Sequence, residues 1–169
     1  ELADGSGPGE LAEAERRARG QQVLEIYFAQ LRHAPSAILD LRPGRFAGTT
    51  PLVWSPRPLW LAWDPPFLDG LRELYQGFYG DDDARFRAAL GRLELEPAED
   101  VFREHFGADD PRAVRFEASR FHATFHEAFV RCRDAGIRLH RNFLALGIYL
   151  GCLYDHLEAL DLPFDVREA

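Results

Sequence analysis

Apolar positions recur at helical spacing along most of this chain, with one interruption in its first third. Residues 10–33 pair a charged first half, ELAEAERRARG, with an apolar second half, VLEIYFAQL. That pattern predicts a helix ended by Pro35 and weakened in its middle by Gly20. The interruption is residues 51–63. There Leu52-Val53-Trp54 and Leu59 to Trp63 form short apolar runs separated by Ser55, Pro56, Arg57 and Pro58. They predict two short strands or a small β-hairpin with a Pro-rich turn. Asp64 before Pro65-Pro66 is a helix start, an N-cap with Pro in the first turn. The helix is expected to run to about Tyr79, with Phe67, Leu71, Leu74 and Phe78 on one face.

Beyond it every pattern is helical. DDDARFRAALGRL places acidic residues at the favourable end of a helix dipole. PAEDVFREHF reads as a short helix. Asp110-Pro111 opens a long helix reaching Gly136, with an apolar stripe of Val114, Phe121, Phe125, Phe129 and Cys132. The last helix, from about His140 to Leu160, is apolar on most faces and is expected to be central, covered on both sides. Gly147 and Gly151 would admit a close neighbour, with the long His122-bearing helix as one candidate. The alternative is that one side stays open for a partner protein or a membrane surface. The fold class is therefore mainly α with a small β-hairpin near residues 51–63. A Gly-rich tail or linker (1–9) leads into one domain (10–169).

The 169 residues carry a net charge of −8, which argues against nucleic acid as a partner because phosphate binding needs a basic surface. All 20 basic side chains are Arg, so no Schiff-base lysine and no lysine clamp on phosphate exists in this sequence. The absence of Met implies that the numbered chain starts downstream of its translation start. Cys132 and Cys152 lie in apolar helical segments and read as free buried thiols, which fits a reducing, cytoplasmic setting. The longest uncharged run, residues 142–154, is short of the roughly 20 residues that span a bilayer, so the chain reads as not transmembrane.

Candidate chemistry begins at residues 37–46, AILDLRPGRF. Asp40 follows three apolar residues and precedes a Pro-Gly turn flanked by Arg42 and Arg45. The two short strands come next, then a second acid, Asp64. In these residues the chain resembles the UbiB-like atypical kinases, the AarF family. Their catalytic loop reads His-x-Asp-x-His-Pro-Gly-Asn and is followed by two strands and Asp-Phe-Gly. Asp40 matches the catalytic-loop Asp, Pro43 and Gly44 the Pro-Gly, and Asp64 the Asp of Asp-Phe-Gly. Residues 67–95 look like the helical pair that follows. Residues 134–165 look like the last helix and closing Leu-Asp-Pro-x-Phe-Asp. The resemblance covers residues 23–166.

The departures fall on the chemistry. Arg42 stands at the second His, Arg45 at the metal-binding Asn, and Pro65-Pro66 at Phe-Gly. A cation at a metal ligand's position repels Mg²⁺ and offers no lone pair. Nothing corresponds to a nucleotide-binding lobe, and phosphoryl transfer depends on positioned charges. The resemblance thus implies a helical, kinase-C-lobe-like domain that is non-catalytic: a pseudokinase-like interaction or regulatory protein, without cofactor, working with another protein or protein complex. It also implies a possible peripheral association with a membrane or isoprenoid lipid. Residual nucleotide binding is the alternative within that family. Asp40 and Asp64 read otherwise as turn and N-cap residues. Arg42 and Arg45 suit an ion pair, or bidentate binding of phosphate or carboxylate.

Two further sets stand out. His122 and His126 share one face of the long helix and are candidates for zinc, iron or haem in a metal-binding alternative; otherwise they are half-buried boundary histidines. His140 and His156 flank the last helix. Trp54, Trp60 and Trp63 suit either an exposed docking surface or packing against the helices.

Overall fold

The computed structural model describes residues 11–107 and 112–169. The expected tail at 1–9 and the helix start at Asp110-Pro111 lie outside the described residues.

The first helix, α1 (Glu13–His33), runs unbroken through Gly20. Gly20 does not weaken it; the ring of Phe164 lies against its Cα, so that a Cβ there would meet Cε1 at 2.0 Å. Val23, Leu24, Tyr27 and Leu31 fill the core face of α1. Four short strands follow: β1 (Ser36–Ile38), β2 (Phe46–Ala47), β3 (Val53–Trp54) and β4 (Trp60–Ala62). Strands lie where the apolar runs at 51–63 predict them, but they do not pair with each other. β3 pairs with β2, and β4 pairs with β1, both antiparallel, so one ribbon is nested inside the other. Pairing is set by partners upstream, which the local pattern does not contain.

The helical remainder starts with α2 (Pro65–Tyr79) and α3 (Asp83–Leu93), a tightly packed antiparallel pair. Gly77 lets them approach, since a Cβ there would sit 2.5 Å from the backbone nitrogen of Phe86. Asp64 occupies the N-cap position of α2 without a side-chain cap bond, and Asp82 caps α3 by accepting from the Arg85 amide. Then come α4 (Glu99–His105), β5 (Val114–Arg115), α5 (Ala118–Asp134), α6 (Arg141–Ala159) and β6 (Pro163–Phe164), with β5 and β6 antiparallel. Val114 is therefore in a strand and not on the α5 stripe. The molecule is mainly helical with small antiparallel strand pairs. No described helix is long and apolar enough to cross a membrane.

α6 is the spine of the core, with Phe143, Leu146, Tyr149, Leu153 and Leu157 buried. Gly147 and Gly151 face Phe125 and Phe121 of α5, which confirms that neighbour. Burial on the remaining side fails, however. Leu144 and Ile148 are 58% and 54% exposed, so α6 is covered on all but one stripe.

Candidate functional site

The loop that leaves β1 carries Asp40 into the interior, where it has no solvent exposure. A buried carboxylate needs its charge and lone pairs met. Arg42 donates from Nε and Nη2 at 2.6 and 3.0 Å, a bidentate fork, and the Arg45 guanidinium lies 3.1 Å away. The Arg57 amide donates at 3.2 Å, and the Asp40 carbonyl accepts from the Trp54 indole at 3.0 Å. The hydrogen bond from Arg42 leads in holding this carboxyl down to about pKa 2, against the opposing effect of burial. Arg42 and Arg45 thus each form an intramolecular ion pair with Asp40, one of the readings open at the sequence level.

The backbone of this loop is fixed from below by two helices. Arg19 of α1 is buried; it donates to the carbonyls of Pro43 and Phe46, each at 3.1 Å, and from Nε to His156 Nε2 at 3.2 Å. His156 of α6 is fully buried, with Nδ1 2.8 Å from the Leu41 carbonyl. One ring nitrogen accepts from a guanidinium and the other donates to a carbonyl, which is the neutral imidazole. Burial, reinforced by the Arg19 charge, pushes its pKa down to about 4. Sequence reasoning missed these roles. The signal was present: Arg19, Val23 and Tyr27 lie on one helical stripe, and His156 lies beside Leu153 and Leu157 on another.

Asp64 does not join Asp40. In the β1–β4 ribbon Ser36 faces Ala62 and Ile38 faces Trp60. Leu39 and Leu59 continue the register past one end, and Pro35 and Trp63 past the other. Asp40 therefore lies at one end of the ribbon and Asp64 at the other, about 20 Å away for six residues of strand. Asp64 instead donates its backbone N–H to Asn142 Oδ1 at 3.0 Å, and its carboxylate has His140 Nε2 at 3.8 Å. Three residues past β3, it is the backbone amide of Arg57 that reaches Asp40.

The other candidates are scattered. His122 and His126 are both exposed on α5. Among the described residues no group of three or more His, Cys, Asp or Glu is placed to hold a metal ion. Of the three tryptophans only Trp60 is open, at 66% exposure. Trp54 stacks on Phe46 at 5.8 Å between centroids. Trp63 is buried on Phe67, and its Nε1 has no partner among the described residues. No protein-family model matches this sequence, and no curated protein matches it.

Proposed function

We propose that this chain is a non-catalytic interaction or regulatory protein, a pseudokinase-like relative of the UbiB-like kinase C-terminal lobe that acts within a protein assembly. The observation that carries the reading is the state of Asp40. A catalytic-loop carboxylate must be free to orient a substrate hydroxyl and basic enough to take its proton. Asp40 has no solvent contact, spends its oxygens on Arg42, Arg45 and the Arg57 amide, and is held near pKa 2. The second acid that a metal–phosphate site would need lies at the far end of the ribbon.

The test is a melting curve with and without millimolar Mg-ATP. A ligand at 100 times its Kd stabilises by about 2.7 kcal/mol, a shift of several degrees for a domain of this size. The expected result is superimposable curves. A clear upward shift that disappears in Asp40→Asn, or transfer of labelled phosphate to a protein acceptor, would overturn the reading.

A further inference from the structure

A guanidinium carries five N–H donors in a fixed fork and no acceptor, so an arginine packed against protein needs acceptors supplied to it. The partly buried arginines around the molecule follow that rule. Arg72, Arg103, Arg131 and Arg167, whose side chains are 29–36% exposed, each donate to a carboxylate or a carbonyl. Buried Arg19 donates to two carbonyls and an imidazole. Arg45 departs from it. Its side chain is as covered as these, at 28%, yet no N–H of its guanidinium donates a hydrogen bond among the described residues. Nε lies 3.1 Å from Asp40 Oδ2, but that oxygen already accepts from Arg42 Nη2 and from the Arg57 amide, which uses both its lone pairs. Arg85 and Arg138 also lack hydrogen bonds from their guanidiniums, but they are exposed and have water to meet them.

The donors of Arg45 are not sealed in. Among the described residues the one sealed side-chain polar atom without a partner is Trp63 Nε1. The neighbouring Gly44 is exposed, and a Cβ on it would meet nothing within 4 Å, so the turn between Arg42 and Arg45 has free space before it. Charge is out of balance here as well. Three guanidiniums, those of Arg19, Arg42 and Arg45, serve residues 40–46, and Asp40 is the carboxylate among them. The next acid is Asp155 of α6, which is exposed; its field reaches Arg42, but it lies within ion-pair distance of none of the three. On a chain of net charge −8 this excess of positive charge is local.

We infer that the Arg42–Arg45 turn binds a phosphomonoester dianion, with the Arg45 fork as its main donor and Arg42 beside it. Arg42 gives Nε and Nη2 to Asp40 and keeps Nη1, whereas Arg45 keeps its fork. Donors from two side chains on either side of a turn suit a tetrahedral oxyanion with three free oxygens. A carboxylate has two oxygens in one plane and suits them less. Asp40 neutralises one of the three cations, and a dianion matches the other two. A small phosphorylated metabolite and a phosphorylated partner protein present the same group. The inference goes beyond the interaction reading and does not need it. In Mg-ATP the metal has already taken up the phosphate charge, so the melting curves expected to superimpose above still do.

The experiment is calorimetric titration of the intact chain in Mg-free buffer at about pH 7.5, where a phosphomonoester is mostly dianionic. The probes are inorganic phosphate, O-phosphoserine and glycerol 3-phosphate, with acetate at equal ionic strength as the control. Saturable binding of one phosphate per chain is expected, weakening as salt rises, with none for acetate. Arg45→Gln should weaken it by about tenfold or more, the loss of a charged hydrogen-bonding fork. Gly44→Glu sets a carboxylate in the free space without touching the Asp40 ion pairs. It should weaken binding to the same degree at an unchanged melting temperature, and it serves if Arg45→Gln is unstable. Gly44→Ala and Arg85→Gln should leave binding intact. Tighter binding of O-phosphoserine than of glycerol 3-phosphate assigns the group to a protein, and the reverse to a small metabolite; either supports the site. No binding of any phosphate, equal binding of acetate, or binding that Arg45→Gln and Gly44→Glu both leave unchanged overturns the inference. Phosphate binding should persist in Asp40→Asn, which relieves it of a competing anion. The Mg-ATP shift that would overturn the interaction reading disappears in that variant, so the two readings fail separately.

Discussion

A carboxylate removed from water is tolerated only when its charge is matched, and the surroundings of Asp40 show the matching in detail. Three donors converge on it from Arg42, Arg45 and the Arg57 amide. Removing the acid strands two guanidiniums beside an interior site. Asp40→Ala is expected to destabilise by about 3–5 kcal/mol in urea unfolding. Arg42→Gln should cost about 1 kcal/mol or less, because that side chain is 43% exposed and Arg45 remains in place. Equal losses in the two variants would count against this description. His156 gives a pH signature. Folded, it titrates near 4; its ordinary value is 6.5. Between those values the unfolded chain takes up a proton that the folded chain refuses. Stability is therefore full above about pH 6.5 and falls by about 3 kcal/mol as pH drops to 4. His105, whose pKa burial also lowers to about 4, acts in the same direction. The depressed carboxyl of Asp40 acts lower still, its contribution being full above its ordinary value of 3.8 and lost progressively as pH falls from there to about 2. Urea midpoints measured from pH 7 to 4 should show the slope, and His156→Asn should reduce it to the part that His105 supplies. A slope unchanged in that variant would place the titration elsewhere.

At the scale of elements, two glycines make opposite predictions. A Cβ on Gly20 would collide with the buried Phe164 ring, which has no room to retreat. Gly20→Ala should cost about 1–3 kcal/mol despite its better helix propensity. A Cβ on Gly151 would meet Phe121 Cε1 at an ordinary 3.7 Å. Gly151→Ala should stabilise by about 0.5–1 kcal/mol through the propensity alone, readable as a higher melting temperature. The same contrast marks what was legible in the chain. Helices announce themselves by local period, so α1, α2, α3 and α6 fall close to where residues 10–33, 64–79, 81–93 and 140–160 suggest, and α5 ends close to where 110–136 does. The strands at 53–54 and 60–62 were legible too, but their partners were not. Ser36–Ile38 is only three residues long, and its role depends on Leu61 and on Gln30, whose side-chain amide bonds both main-chain groups of Ile38. The start of α5 moved because Val114 and Arg115 join a strand closed by Pro163 and Phe164, almost fifty residues later. The separation of Asp40 from Asp64 was illegible for the same reason: it depends on which strands pair.

At the scale of the molecule, the first helix and the last one meet around a loop. Arg19 and His156 come from opposite ends of the chain, and between them they hold the carbonyls of Leu41, Pro43 and Phe46. Such a loop cannot peel away by itself, as surface turns ordinarily do. Letting go of its carbonyls would leave a buried guanidinium and a buried imidazole unsatisfied, so release requires α1 and α6 to separate. The slowest-exchanging amides of this protein should therefore include residues of a turn. Leu41 and Arg45, bonded to the Leu39 and Arg42 carbonyls, should exchange with deuterium only at the rate of global unfolding, alongside Tyr27 and Tyr149 in the core. In Arg19→Met that coincidence should dissolve. The turn would then open as an independent unit, ahead of the helices that now hold it shut.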